Sequence, residues 1–262
     1  MPHKLYQVDA FADTVFSGNP AAIIPLTEWI SDELMQQIAA ENNLSETAYY
    51  VIREQYIEIR WFTPATEVDL CGHATLAAAY VLKNQENFQD SIIPFYSHRS
   101  GNLPVTVNHD SFTLNFPADT IQEVVLTDVL KSVSAAKPVK AFKGKTDFML
   151  VYESEQEIEA MIPDLAAISK LNARGLIVTA KGNKVDFVSR FFGPQCGVNE
   201  DPVTGSAHTT LTPYWAKVLG KNSMKAEQLS SRKGKLSCVL NNNRVEITGQ
   251  AVLYMKGEIE VN

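Results

Sequence analysis

Ile38-Ala-Ala-Glu-Asn-Asn-Leu-Ser-Glu-Thr-Ala-Tyr-Tyr-Val51 lies over Leu165-Ala-Ala-Ile-Ser-Lys-Leu-Asn-Ala-Arg-Gly-Leu-Ile-Val178 without a gap, so that Glu46 faces Ala173. Outward from this stretch the likeness continues. Ile59-Arg-Trp-Phe62 recurs as Ser189-Arg-Phe-Phe192, Gly72-His-Ala74 as Gly205-Ser-Ala207, and Ser97-His-Arg-Ser-Gly-Asn-Leu-Pro-Val-Thr-Val-Asn108 as Ser230-Ser-Arg-Lys-Gly-Lys-Leu-Ser-Cys-Val-Leu-Asn241. Collinear matches over most of each half predict two copies of one folding unit, with a cleft between them. An acid present in only one copy is not needed to build the unit, which makes Glu46 the first candidate for chemistry.

Composition sets the outer limits. A chain of 262 residues with 45% hydrophobic content accommodates two ordinary domains with substantial cores. A formal net charge of −7 and no Lys/Arg block argue against nucleic acid and anionic membrane surfaces and favour a small-molecule partner. The N-terminal Met-Pro-His-Lys runs straight into an alternating segment, and no apolar run has the length of a membrane span. Cys71, Cys196 and Cys238 are odd in number and lack a zinc spacing, which fits reduced thiols. The expectation is a soluble, cytoplasmic protein with no metal.

Strand patterns dominate, among them Lys4 to Phe11, Tyr56 to Phe62, Leu103 to Val107, Phe112 to Phe116, Lys184 to Phe191 and Val245 to Ile247. Each half also carries two helices. One begins at a capping Ser31, and its twin, around Glu155 to Ala167, is interrupted near Pro163. The other, Ala74-Thr-Leu-Ala-Ala-Ala-Tyr-Val-Leu82, is small and apolar nearly all round and so should be enclosed by protein, as should its twin after Ser206. An α+β architecture follows, with a curled sheet around a buried helix in each half. Pro117 marks the joint, giving units 1–117 and 118–262, with the last strand a candidate to return to the first unit.

Both buried helices are entered through a glycine after a polar loop, Glu67-Val-Asp-Leu-Cys-Gly-His-Ala-Thr75 and Asn199-Glu-Asp-Pro-Val-Thr-Gly-Ser-Ala-His208. A helix start carries unpaired N–H groups and partial positive charge, and glycine permits close approach, so Gly72 and Gly205 suit the two ends of a carboxylate-binding cleft. Electron withdrawal there lowers the cost of removing a neighbouring proton. Glu46, at the end of an element, supplies a base.

These residues carry a resemblance. Asn43-Leu-Ser-Glu-Thr-Ala48, Phe62-Thr-Pro64 with Glu67 to Thr75, Glu200-Asp-Pro-Val-Thr-Gly-Ser-Ala-His208 and Phe16-Ser-Gly-Asn-Pro20 resemble, in order and over nearly the whole chain, the signatures of the PhzF-like (phenazine biosynthesis) isomerase family. The resemblance implies the diaminopimelate-epimerase-like fold, two pseudo-symmetric halves with the active site between them, no cofactor, and a homodimer. It implies that Glu46 matches the catalytic acid/base, and that His73, Asp201 and Ser206 match polar residues around the substrate. The family is also similar to two-thiol racemases. Cys71 matches the first thiol, but Asp201-Pro-Val-Thr204 holds no second one, so one carboxylate must take and return the proton. That gives isomerisation rather than inversion at one centre.

Blander roles compete. His73 can cap its helix or bind substrate, and Asp201 can complement the helix dipole or hold a proton or substrate amine. Ser206 suits both a helix start and a ligand hydroxyl; Asn19 before Pro20 suits a turn or a substrate contact. Cys71 reads as a buried relic, His208 as structural, and Arg60 and Arg190, present in both copies, as scaffold. His3, His98 and His109 give no metal geometry. Three functions stay open: a cofactor-independent isomerase of a small carboxylate, a Cys71/His73 thiol hydrolase, and a non-catalytic acid-binding protein.

Overall fold

A computed structural model describes residues 2–261. The chain divides into two compact units, the first ending at Asn115 and regaining the chain from Thr248, the second running from Phe116 to Ile247. Unit 1 contains β1 (His3–Ala10), β2 (Asn19–Leu26), α1 (Asp32–Asn42), β3 (Glu46–Ile52), β4 (Ile57–Phe62), β5 (Glu67–Val68), α2 (Gly72–Asn84), β6 (Ile92–Ser97) and β7 (Gly101–Asn108). β8 (Ser111–Pro117) leads out of it. Unit 2 follows with β9 (Gln122–Val124), α3 (Asp128–Lys131), β10 (Lys140–Lys143), β11 (Phe148–Val151), α4 (Glu155–Glu159) and α5 (Leu165–Ile168). It continues through β12 (Leu176–Lys181), β13 (Phe187–Gly193), β14 (Val198–Asp201), α6 (Gly205–Leu219), β15 (Ser223–Gln228) and β16 (Gly234–Asn241), and β17 (Arg244–Ile259) then carries the chain back into unit 1.

The repeat is visible in the senses of pairing. In unit 1, β2 runs parallel to β3, β3 antiparallel to β4, β4 parallel to β6 and β6 antiparallel to β7. In unit 2 the same series appears as β11, β12, β13, β15 and β16. Hydrogen-bonded neighbours in unit 1 run β1–β2–β3–β4–β6–β7–β8–β17 and return to β1, so the sheet closes and has no free edge. The helix α2 packs on β1, β2 and β3, and its Ala74, Leu76, Ala77, Ala78, Ala79 and Val81 are fully buried. Alanine on several faces lets a helix pass close to the surrounding strands, which is why this segment lacks a polar side. On the other face of β3, Tyr49 and Val51 pack with Met35, Ile38 and Ala39 of α1.

Local signals explain most boundaries. Pro163 separates α4 from α5, because proline cannot donate to a continuing helix. Ser154 and Glu157 form a reciprocal capping box at α4. Lys184 to Asp186 are not strand: Gly182 N–H donates to Asp186 O at 3.2 Å, a tight turn that delays β13 to Phe187. The ion pairs repeat too. Arg60 binds Glu67 at 2.7 and 3.0 Å and lies over Phe62, while Arg190 binds Glu200 at the same two distances and lies over Phe192.

The register corrects one equivalence. Arg60 faces Tyr49 across β3/β4 and Arg190 faces Val178 across β12/β13, so counting back three residues places Gly175, not Ala173, opposite Glu46 in the repeat. The gap-free alignment slips because the short α5 is followed by a longer connection than α1. A Cβ on Gly175 would lie 2.4 Å from Phe191 Cζ and 2.8 Å from Phe192 O. The Phe191 ring thus fills the space in which unit 1 places a carboxylate. Gly175→Ala is expected to cost about 1–3 kcal/mol by overpacking, read as a lower denaturant midpoint; an unchanged midpoint would mean that both the ring and the Phe192 carbonyl give way freely.

Candidate active site

Glu46 opens β3 directly after the turn that ends α1. Asn43 caps α1 in the left-handed conformation, and Asn42 Nδ2 donates to Thr47 Oγ1 at 3.1 Å, which fixes the entry to the strand. Tyr49 Oη donates to Met35 O at 2.7 Å and ties the helix to the strand. Side chains alternate along a strand, so if Tyr49 and Val51 face α1, Glu46, Ala48 and Tyr50 face α2. There Glu46 Oε2 meets His73 Nε2 at 3.0 Å, with the side chains only 18% and 6% exposed. The two atoms are close but not in line: each is buried and, among the described residues, has no aligned hydrogen-bond partner. The contact is a charge contact with directional capacity left over.

The other edge of the His73 ring is also occupied. Asn19 Nδ2 lies 3.2 Å and Cys71 Sγ 3.5 Å from Nδ1. Asn19 is fully enclosed at the start of β2, with its amide nitrogen beside His73 and its Oδ1 buried. Gly18, with φ of +66°, makes this possible: a Cβ there would lie 2.2 Å from Ala10 O, and no other residue lets the loop fold back so closely. Phe16 N–H completes the loop by donating to Asp9 Oδ2 at 2.8 Å.

Charge follows from these contacts. Burial works against a charged imidazole, but the adjacent Glu46 carboxylate opposes it and holds His73 above its ordinary pKa of 6.5. Burial, and after it the Glu46 carboxylate, pushes the Cys71 thiol up, so the sulfur stays protonated at neutral pH and Glu46 supplies the anion that His73 answers. Glu46, Cys71 and His73 bring ligand-type atoms within 4.8 Å of one another. They suit a metal poorly, because thiol and carboxylate face different ring nitrogens whose lone pairs diverge.

Unit 2 presents the second helix start. Ser31, Thr127, Ser154 and Asp164 each accept a hydrogen bond from a first-turn N–H of their helices, whereas Cys71 before α2 and Thr204 before α6 make no side-chain cap. Thr204 is a suitable capping residue, but its hydroxyl donates to Asp201 Oδ2 at 2.5 Å and its amide to Gln228 Oε1 at 2.9 Å. Gly205 opens α6, and Ser206 beside it is exposed. Asp201 ends β14, and Gln228 Nε2 donates to its carbonyl at 2.8 Å. His208 is interior: Nδ1 contacts Thr204 O at 2.9 Å, and burial pushes the ring down to about 4. Two residues escaped sequence reading. Arg174 and Asp147 form a two-bond ion pair beside Ser206, and their separation in sequence left no local signal.

A family model described as phenazine biosynthesis-like protein, PhzC-PhzF, matches residues 8–257. The chain belongs to the PhzC-PhzF family. An uncharacterized isomerase of Pseudomonas aeruginosa is 48% identical to this PhzF-family chain over 261 residues and covers 100% of both sequences. The crystal structure of a PhzF-family phenazine biosynthesis protein from Enterococcus faecalis matches with a TM-score of 0.97 at 44% identity, again over 100% of each chain. A hydroxyproline epimerase from Agrobacterium vitis, bound to trans-4-hydroxy-L-proline, matches with a TM-score of 0.65 over 98% of this chain and 92% of its own; at 10% identity it shares the fold alone. The α+β, epimerase-like fold expected from the sequence is therefore that of the PhzF-family chain, and the protein is an isomerase. No helix among the described residues is long and apolar enough to cross a membrane.

Proposed function

We propose that this isomerase moves a proton between two atoms of a small, carboxylate-bearing, unsaturated substrate, with Glu46 as its single general acid/base and no cofactor. The observation that carries the reading is the buried Glu46–His73 contact of 3.0 Å, whose facing atoms keep unspent hydrogen-bonding capacity and whose counterpart in unit 2 is a glycine. Glu46 takes a proton from carbon, the electron pair passes into the conjugated carboxylate system, and the same carboxyl returns the proton to another atom on that face. While Glu46 is neutral, the His73 cation remains as counter-charge for the anionic intermediate. Gly72, Gly205, Ser206 and Asp201 are assigned to the substrate's polar groups, the first two through N–H groups at helix starts that no side chain caps.

The test is incubation in D₂O with a panel of small carboxylates that includes dihydro-hydroxyanthranilate, followed by mass spectrometry. Deuterium gain by one of them is expected; none across the panel, with binding intact, would favour an acid-binding protein instead. A thiol hydrolase needs a thiolate, and burial keeps Cys71 protonated. Cys71→Ala is accordingly expected to retain exchange within a few-fold of the parent. Loss of exchange with the fold preserved would restore the thiol to the mechanism.

A further inference from the structure

Arg174 is held on three sides. Its Nε and Nη2 donate to the two carboxylate oxygens of Asp147, a side chain only 2% exposed, and its guanidinium lies 5.2 Å over the Phe191 ring. Thr146 Oγ1 also donates to Asp147 Oδ2, at 3.1 Å, so the carboxylate is itself fixed. The Cys196 thiol contacts the Arg174 carbonyl at 3.5 Å. What remains is Nη1, which donates to Ser206 Oγ at 3.0 Å, on the first turn of α6.

A serine hydroxyl has two lone pairs and one proton. Arg174 occupies a lone pair, and among the described residues no acceptor takes the proton. A cationic donor arriving at Ser206 would meet the guanidinium charge, while an anionic oxygen meets a hydroxyl already turned to donate. We propose that Arg174 is a positioning and specificity-determining residue: by fixing Ser206 as a donor it selects ligands that present a carboxylate oxygen there. The proposal rests on the assignment of Ser206 to the substrate made above.

Removing Arg174 alone would strand the buried Asp147 carboxylate, so the informative change is the pair Arg174→Gln with Asp147→Asn, which removes both charges together. The probes are anthranilate, an unreactive amino carboxylate on an unsaturated ring, and its neutral amide, each titrated calorimetrically into the whole protein. The paired variant is expected to bind anthranilate about tenfold more weakly, the scale of one hydrogen bond to a charged group. Its affinity for the amide should be unchanged, and in a Ser206→Ala background the pair should add nothing. Equal losses for acid and amide, or a full loss that persists without Ser206, would mean a merely structural role and overturn the proposal. If Ser206→Ala weakens anthranilate and the paired variant does not, only the role of Arg174 fails. An unchanged affinity in Ser206→Ala, or no binding of either probe by the parent, removes the assignment of Ser206 and the proposal with it.

Discussion

Glu46→Gln is expected to slow solvent-deuterium exchange into a responsive substrate by about 10²–10⁴-fold, the usual contribution of a positioned acid/base. The amide keeps the shape of the carboxyl but cannot take a proton from carbon. Unit 2 offers no acid at the matching position. In unit 2 the equivalent position is Gly175, against which the Phe191 ring packs, and the nearby Asp147 carboxylate is spent on Arg174. A second readout separates chemistry from collapse. Without the Glu46 carboxylate the buried His73 loses a charge that holds it protonated, so its titration, followed by NMR, should move down while near-ultraviolet circular dichroism stays unchanged. Exchange as fast as in the parent, in a folded variant, would refute the single-carboxylate mechanism.

The second large effect is on acid stability. His208 titrates near 4 in the fold because burial disfavours its charged form, against an ordinary value of 6.5. Between those values the unfolded chain binds a proton that the folded chain refuses, so stability is complete above pH 6.5 and falls as pH drops. The slope is about 1.4 kcal/mol per pH unit, or about 3 kcal/mol by pH 4. His73 is shifted upward and is protonated in both states below pH 6.5, so it leaves this window undisturbed; its own contribution is lost at higher pH. Asp32 and Asp186, whose carboxyls are held low, add to the loss only nearer the carboxylate range. Denaturant midpoints between pH 6.5 and 5 therefore isolate His208. His208→Thr should flatten the profile there, since the matching Thr75 makes the same backward contact through Oγ1, to Cys71 O at 2.6 Å. An equally steep slope in that variant would place the acid sensitivity elsewhere.

The repeat, the two buried helices and the broken α4/α5 segment were legible because each is written locally: small apolar residues, a capping serine, a proline. Glu46, His73 and Cys71 stood out from their neighbours for the same reason. Their mutual geometry was not legible, since it depends on how α2 packs across β1, β2 and β3. A gap-free alignment slips from Gly175 to Ala173 because the connection before β12 is longer than the one before β3. Nor does anything in Asn-Pro foretell that the Asn19 amide nitrogen lies beside the His73 ring. Arg174 was silent, as its meaning depends on Asp147 and Ser206, 27 and 32 residues away.

β17 pairs with β1 from His3↔Ile259 to Ala10↔Ala251, so the strand that seals the barrel around α2 is made only after every residue of unit 2. A nascent chain released as far as Ile247 already contains every residue of unit 2, yet unit 1 still lacks the strand that joins β8 to β1. Synthesis order thus delays closure of the Glu46-bearing unit until its twin has been made, and a stop just after Ile247 would leave the first open while sparing the second.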